Sequence, residues 1–449
     1  VKDRFRLKIE KMALEGHGIG FNENKAVFVP YTAVGDEIEA ALTRERKDMA
    51  FARAVQFFER GEGVVEAPCK VFGIEKPCGG CDWLHLDYAT QLKYKTCLIR
   101  ELFNSLAPEL VVPDTVPSPV TRHYRNKAFM PVGEVEGKLI HGIYARWSHH
   151  IVPHEDCHLH PPVFDAIALR ALEIMSRAGV KAYDEHTHSG TLRHIGFRVS
   201  EDHSRVILVL VTRSGKLPFS KLLVKQITEE FPALAGVVQN INRDRGNVIL
   251  GTEEKLLWGE PWLLEEIAGL RFRVSYNSFW QVNTGILEKV VESLKKCVGA
   301  QDTIFDLYSG LGALGLSLSA SVDKVLCVED NPQAVADGEL NMEENGITNA
   351  KFLRAKVEEL LPQLLNGDEE KPDAVILDPP RSGLRQPVLD ALVAARVPRI
   401  LYLSCSPITL RRDLKFLVDS GFYHIQSLQP FDMFPHTWHV ETLAEVVLK

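Results

Sequence analysis

Apolar and polar positions alternate with a period of two through the first sixty residues. RFRLKIEKMAL, KAVFVPY, DEIEAALTRER and FARAVQFFE each put apolar side chains on one face and charged ones on the other, and GHGIG supplies a glycine turn. Short strands at this spacing predict a small five-stranded barrel over residues 1–60. Between 88 and 107 the period lengthens to that of a helix (YATQLKYKTCLIRELFNSL), and a proline-rich link follows. The middle of the chain reads mainly as strands, RHIGFRVS, RVILVLVT, GVVQNIN and NVILG, with GVVQNINRDRGNVILG as a hairpin.

From about residue 261 apolar runs of strand length alternate with helical stretches. The series is TIFDLY, a helix over 313–320, KVLCVE, a helix over 332–345, AKFLRA, a helix over 357–365, DAVILD, a helix over 386–395, RILYLS and a helix over 407–420. Strands joined by helical crossovers predict a parallel, doubly wound α/β sheet. The polar run NGDEEK (366–371) reads as a solvated loop within it. The expected division is therefore a barrel (1–60), a mainly β central domain (61–260) and an α/β domain (261–449).

Length and composition agree with this division. A chain of 449 residues, 45% of them apolar, is long enough for about three domains. No run nears the roughly 18 apolar residues that span a bilayer, and VKDRFRLKIEKM lacks a signal-peptide core, so a cytoplasmic protein is expected. A net charge of -8 excludes a uniformly basic coat, yet RERK (44–47) and RHYRNK (122–127) leave local patches for nucleic acid.

Of the eight cysteines, Cys97, Cys297, Cys327 and Cys405 are scattered, whereas Cys69, Cys78 and Cys81 (APCKVFGIEKPCGGCDWLHL) and Cys157 (PHEDCHLHPP) read as one set. In a reducing cytosol such clusters are more often metal ligands than disulfides, and Gly79-Gly80 lets two thiolates turn onto one centre. Spacing alone leaves a four-cysteine zinc site and an iron-sulfur cluster both open, with His154, His158 or His160 able to replace one sulfur.

The first turn of the α/β domain, DLYSGLGALGLSLS, holds Gly310, Gly312 and Gly315, and Glu329 ends the next strand where an acid grips ribose hydroxyls. That implies a nucleoside-bearing cofactor. VILDPPRSG then places Asp378 before two prolines that stiffen a loop over the carboxyl edge of the sheet, a loop of use to a methyltransferase holding its substrate base and of none to a dehydrogenase. RILYLSCSP puts the Cys405 thiol at the end of the following strand, beside a helix N-terminus, where a thiolate is favoured.

Six motifs in order, NSFWQVN, DLYSGLG, CVEDN, LDPPRSG, LYLSCSP and DMFPHTWHVET, resemble those of the RNA uracil-5 methyltransferase family, and the likeness spans nearly the whole chain. It implies an N-terminal TRAM barrel of the OB type, a central domain with an iron-sulfur cluster, and a Rossmann-like S-adenosylmethionine-dependent catalytic domain. Carried over by residue, Cys405 is the nucleophile and Glu441 the general base. Gln281, Tyr308, Gly310, Gly312, Ala313, Glu329 and Asp378 contact the cofactor, and Cys69, Cys78, Cys81 and Cys157 hold a 4Fe-4S cluster, the resemblance favouring it over zinc. Two departures stand out: the first cluster spacing is C-x8-C where the best-known members have C-x5-C, and Ala313 replaces a common asparagine. In FLRAKVEEL an expected asparagine is also missing, so residue 356 is left out of the site.

The resemblance implies a monomer that methylates carbon 5 of a uridine in a ribosomal RNA loop, with transfer RNA the alternative. Arg122, Arg125 and Lys127 are the expected phosphate partners, and Phe434, Trp438 and His439 are expected around Glu441. A cytosine-5 enzyme of similar chemistry carries a second cysteine after its proline pair, and an adenine N-methyltransferase an aromatic; Arg381 stands there instead. A noncatalytic iron-sulfur RNA-binding protein is a rival of another class, and retention of both Cys405 and Glu441 speaks against it.

Overall fold

The computed structural model describes residues 4–367 and 371–449. Residues 1–3 of the predicted barrel and 368–370 of the predicted NGDEEK loop lie outside the described residues. Among the described residues no helix is long and apolar enough to cross a membrane.

The first sheet contains β1 (Arg4–Lys8), β2 (Lys11–Met12), β3 (Gly18–Asn22), β4 (Lys25–Val29), β5 (Glu37–Glu45) and β6 (Met49–Glu59), in the order β1-β5-β6-β4-β3-β2. Its two edges are consecutive in the chain, so the sheet curls into a barrel around Leu7, Ile9, Val27, Val29, Ile38 and Ala40. Among the described residues it has six strands rather than the predicted five. The first breaks where Ile9 N donates to Asp36 O (2.9 Å) and Glu10 N donates to Ile19 O (2.8 Å), which passes the chain from one neighbour to the other.

Helix α1 (Tyr88–Phe103) is capped by Asp87, whose carboxylate accepts from Thr90 N at 2.7 Å. The central sheet is built from β7 (Lys127–Val135), β8 (Lys138–Tyr144), β9 (Ile151–Pro153), β10 (Leu192–Val199), β11 (Val206–Thr212), β12 (Leu234–Ile241) and β13 (Glu253–Gly259). Helices α2 (Pro162–Arg177) and α3 (Ser220–Glu230) cover it. The strand order is β13-β12-β11-β10-β7-β8-β9, and β11 and β12, joined through α3, run parallel. The predicted hairpin through NVILG does not form, and β12 pairs with β13 instead. Asn242 Nδ2 donates to Val248 O (2.6 Å) and Ile249 O (2.9 Å), and Asn240 Nδ2 to Gly251 O (3.0 Å). These amides occupy carbonyls that a strand ladder would need.

The last region starts with the hairpin β14 (Trp262–Ile267) and β15 (Leu270–Ser275), then α4 (Thr284–Lys295). The alternation follows as β16 (Thr303–Leu307), α5 (Ala313–Leu318), β17 (Lys324–Glu329), α6 (Pro332–Glu344), β18 (Ala350–Arg354), α7 (Val357–Asn366), β19 (Ala374–Leu377), α8 (Gln386–Ala395), β20 (Arg399–Ser404) and α9 (Pro407–Asp419). Two strands close it, β21 (Tyr423–Phe431) and β22 (Glu441–Leu448). The order is β18-β17-β16-β19-β20-β22-β21. The first five are parallel as the alternation predicts, while β22 is antiparallel to both of its neighbours.

Alternate residues of the parallel strands face opposite layers, as burial on both sides requires. Ile304, Ile376 and Leu401 pack with α4 and α5. Phe305, Val375 and Ile400 pack with α7, α8 and α9 and with Ile99 and Phe103 of α1. The strand order reverses at β16, and the carboxyl ends there leave the crevice in which such sheets bind ligands.

Candidate active site

That crevice is a cavity of about 720 Å³. Gln281, Tyr308, Gly310, Glu329, Asp378, Cys405 and Glu441 all line it, so residues spread over 161 positions of sequence (281 to 441) meet around one space. Ala313 lines an adjoining recess that shares Gln281, Tyr308, Gly310 and Asp378. Gly312 lines neither; it begins α5 at φ +86°, and a Cβ there would lie 2.8 Å from the Phe352 ring. Its contribution is the shape of the turn.

At one end the Glu329 carboxylate is fixed by backbone donors: Gly310 N at 2.9 Å, Asn331 N at 2.9 Å and Asp330 N at 3.1 Å. An acid so held at the end of the second strand suits vicinal ribose hydroxyls. Beneath the turn, Asp306 is 1% exposed and accepts from Gly315 N at 2.8 Å, and burial pushes its carboxyl up to about 7.

At the other end Cys405 follows β20 directly. The antiparallel register pairs Ser404 with Thr442, so one step further puts Cys405 across from Glu441, the first residue of β22. Burial pushes the Cys405 thiol up to about 11, with the Glu441 carboxylate adding to the rise and the Arg381 guanidinium opposing it. Glu441 is 1% exposed and its Oε1 has no hydrogen-bond partner. Burial first, then Asp378, raise its carboxyl well above the ordinary range, against Arg381 again. Asp378 accepts from Gln281 Nε2 at 3.0 Å and is raised to about 7 by burial.

The sequence reading used Arg381 only to separate families. In the structure it lines the cavity and opposes the rise of both the Cys405 thiol and the Glu441 carboxyl. The signal was its place directly after Asp378-Pro379-Pro380. Lys356, set aside in the sequence reading, also lines the cavity, with Glu358. Of the aromatic residues expected around Glu441, Phe434 does line its cavity, whereas Trp438 and His439 line a second one.

This second cavity, of about 440 Å³, is bounded by Phe129, Arg146, Trp147, Trp438 and His439, and Arg125 lines both spaces. Trp147 stacks on His17 of the barrel, and the Arg146 guanidinium lies over the Tyr31 and Trp147 rings. Aromatic faces among guanidinium groups suit bases and phosphates of a single strand. Of the expected phosphate partners, Arg122 is exposed, but Lys127 turns inward to donate to Ser278 O at 3.4 Å, and burial lowers its ammonium to about 7.

The four cysteines set apart in the sequence are half-buried free thiols, and Cys157 acts electrostatically on each of the other three. Gly80 N donates to Cys78 Sγ (3.4 Å) and Leu159 N to Cys157 Sγ (3.5 Å), bonds that stabilise thiolates. A Cβ on Gly79 would meet Tyr144 O at 2.7 Å, so the turn between Cys78 and Cys81 needs glycine. Converging soft sulfurs with amide donors fit a metal centre of thiolate ligands. Among the described residues no three of these sulfurs stand within 4.8 Å of one another, while His154, Cys157 and His160 do.

This cysteine loop is bonded to the loop before Glu441. Asp82 N and Trp83 N both donate to His436 O at 3.0 Å, and Trp438 N donates to Asp82 Oδ2 at 3.1 Å. From α1, Lys95 Nζ donates to Asp432 Oδ1 at 2.5 Å and to Phe434 O at 3.0 Å, both charges fully buried.

With this geometry in place, comparison with known proteins is informative. The family model described as tRNA (Uracil-5-)-methyltransferase matches residues 87–449, and the TRAM domain of tRNA (uracil(54)-C(5))-methyltransferase matches residues 5–60. An uncharacterized RNA methyltransferase of Oceanobacillus iheyensis is 34% identical, covering 99% of this chain and 96% of its own. Another, of Halalkalibacterium halodurans, is also 34% identical over 100% of this chain and 97% of its own. Among solved structures, Pyrococcus abyssi tRNA (uracil-54, C5)-methyltransferase in complex with S-adenosyl-L-homocysteine superposes with a TM-score of 0.78 at 26% identity, covering 99% of this chain and 100% of that one.

Proposed function

This chain belongs to the RNA uracil-5 methyltransferase family and is an S-adenosylmethionine-dependent RNA methyltransferase with an N-terminal TRAM domain, and from that premise we propose that it converts a uridine of a folded RNA to 5-methyluridine through a covalent bond to Cys405. The observation that carries this reading is the placing of Cys405 opposite Glu441, across two antiparallel strands, in the cavity that also holds Asp378 and Glu329.

Carbon 5 of uracil is a weak nucleophile. The Cys405 thiolate adds at carbon 6, and the electrons of the carbon 5–carbon 6 double bond move into an enolate that makes carbon 5 reactive. S-adenosylmethionine supplies the methyl group. Glu441 then takes the proton from carbon 5, the double bond reforms, and the sulfur of Cys405 leaves as thiolate. Arg381 favours the charged form of both groups. Gln281, Tyr308, Gly310, Ala313, Glu329 and Asp378 hold the cofactor, with Gly312 shaping the turn. Flipping a base out of its stack costs least in a loop, and the Arg125-bounded second cavity supports an adjacent nucleotide there.

Cys69, Cys78, Cys81 and Cys157 hold a 4Fe-4S cluster with a structural role in this reading. A single zinc would draw four sulfurs to within about 3.8 Å of one another, from a Zn–S bond of ~2.3 Å. The family resemblance of the four-cysteine set supports the larger centre. Absorption of anaerobically purified protein checks it: a brown chromophore is expected, and zinc thiolates are colourless.

Ribosomal RNA is the first substrate reading, on the combination of barrel and four cysteines. Transfer RNA is the second, favoured by the solved Pyrococcus abyssi enzyme, which matches the barrel as well as the rest. Mapping 5-methyluridine by mass spectrometry in cells with and without the gene decides between them. For the chemistry, RNA carrying 5-fluorouridine should form an adduct with the wild type, because fluorine cannot leave as a proton. Cys405→Ser should form none and lose methylation; full turnover by that variant would end the proposal.

A further inference from the structure

Three histidines and one aspartate outside the catalytic cavity converge on a single buried oxygen. His141 comes from β8, His154 follows β9, His160 precedes α2, and Asp165 lies in the first turn of α2. All four are at most 9% exposed. His141 Nδ1, His154 Nδ1 and His160 Nε2 stand 4.0, 3.4 and 3.1 Å from Asp165 Oδ1. Neither ring nitrogen of His141 or of His154 has a hydrogen-bond partner of acceptable geometry. Burying one unpartnered polar atom is costly, and here two whole rings are left so at one point.

A cation would satisfy one nitrogen of each ring together with the carboxylate oxygen. In a tetrahedral zinc site with bonds of ~2.0–2.1 Å, neighbouring ligand atoms stand about 3.3 Å apart, and the 3.4 Å separation of His154 is close to that edge while the 4.0 Å one of His141 is wider. Imidazole and carboxylate donors suit zinc, whereas the cysteine set suits softer centres. The carboxylate is also oriented from behind, its Oδ2 accepting from Cys157 N at 3.1 Å, as outer-shell partners of metal ligands are. We propose that His141, His154 and Asp165, which offer three ligand atoms within 4.8 Å of one another, bind a structural zinc ion, separate from the four-cysteine centre and with His160 bonded beside it to Asp165, that fastens β8 to the Cys157 segment and α2.

Metal analysis of the full chain, purified without oxygen from zinc-supplemented cells, tests this. The expected result is one zinc per chain that persists in Cys78→Ser/Cys81→Ser, whatever those substitutions remove from the cysteine centre, and that falls at least fivefold in His141→Ala/His154→Ala. Because the histidine variant could fail to fold, cobalt-exchanged Cys78→Ser/Cys81→Ser provides a second measurement. It should show the intense visible bands of tetrahedral cobalt without a thiolate charge-transfer band. Absence of zinc from that variant, or a thiolate band in its cobalt form, overturns the proposal; the latter would put Cys157, which stands within 4.8 Å of His154 and His160, in place of Asp165.

Discussion

Arg381 opposes the rise of both the Cys405 thiol and the Glu441 carboxyl, each of which burial pushes up. With the thiol at about 11, the thiolate fraction grows with pH throughout the neutral range. Adduct formation with 5-fluorouridine RNA should therefore accelerate about tenfold per pH unit between pH 7 and 9. Arg381→Met should be slower at every pH, by about tenfold or more; a flat profile or an unchanged variant contradicts this account. Asp306 offers a test of stability. Its carboxyl stays protonated up to about 7 in the folded chain but ionises near 3.8 when unfolded. The folded state then binds more protons over that window, and stability falls by roughly 4 kcal/mol as pH rises through it. Asp306→Asn removes this term, so its melting temperature relative to wild type should climb from pH 4.5 to pH 8, and a pH-independent difference would refute it. Asp378 and Cys405 were expected at the site from their places at strand ends, and Glu441 only from the resemblance of its motif to the family's. Arg381 was not, since its effect depends on where the proline loop aims it.

Among the elements, β22 decides most about the site. Lying antiparallel between β20 and β21, it brings Glu441 to Cys405 by register alone. A slip of one residue would turn Glu441 to the opposite face. The run of apolar residues read correctly as parallel strands up to β20, but periodicity carries no strand direction, so the reversal at β22 was not legible. The same limit explains the failed hairpin: Asn240 and Asn242 take backbone carbonyls with side-chain amides, which a hydrophobic pattern does not record. Helix α1 ties the loop before β22 through the buried Lys95–Asp432 pair. Lys95→Met leaves Asp432 charged and unpaired, and urea unfolding should show a loss of about 3–5 kcal/mol. Adding Asp432→Leu should restore much of it, and no recovery would mean that the pair is not the source.

Across the whole molecule, two adjoining cavities draw on the barrel region through Glu15, on the central sheet through Phe129, Met130 and Ile143, and on the α/β sheet through Glu329 and Glu441, with Arg125 on the boundary. The N-terminal barrel and the later α/β sheet were readable from the change of period along the chain. What meets between them was not, because Trp147 lies far along the chain from Trp438 and His439 and shares a wall with them only after folding. The bonding of Asp82 and Trp83 to His436 joins the thiol-bearing segment to the loop before Glu441. Amide hydrogen exchange over residues 434–440 should therefore quicken in Cys78→Ser, and protection equal to wild type would disconnect the two.

That shared bonding has a consequence for biogenesis. Two loops whose main chains complete one another mature as one cooperative unit, so the thiol-bearing segment and the loop before Glu441 gain or lose their order together.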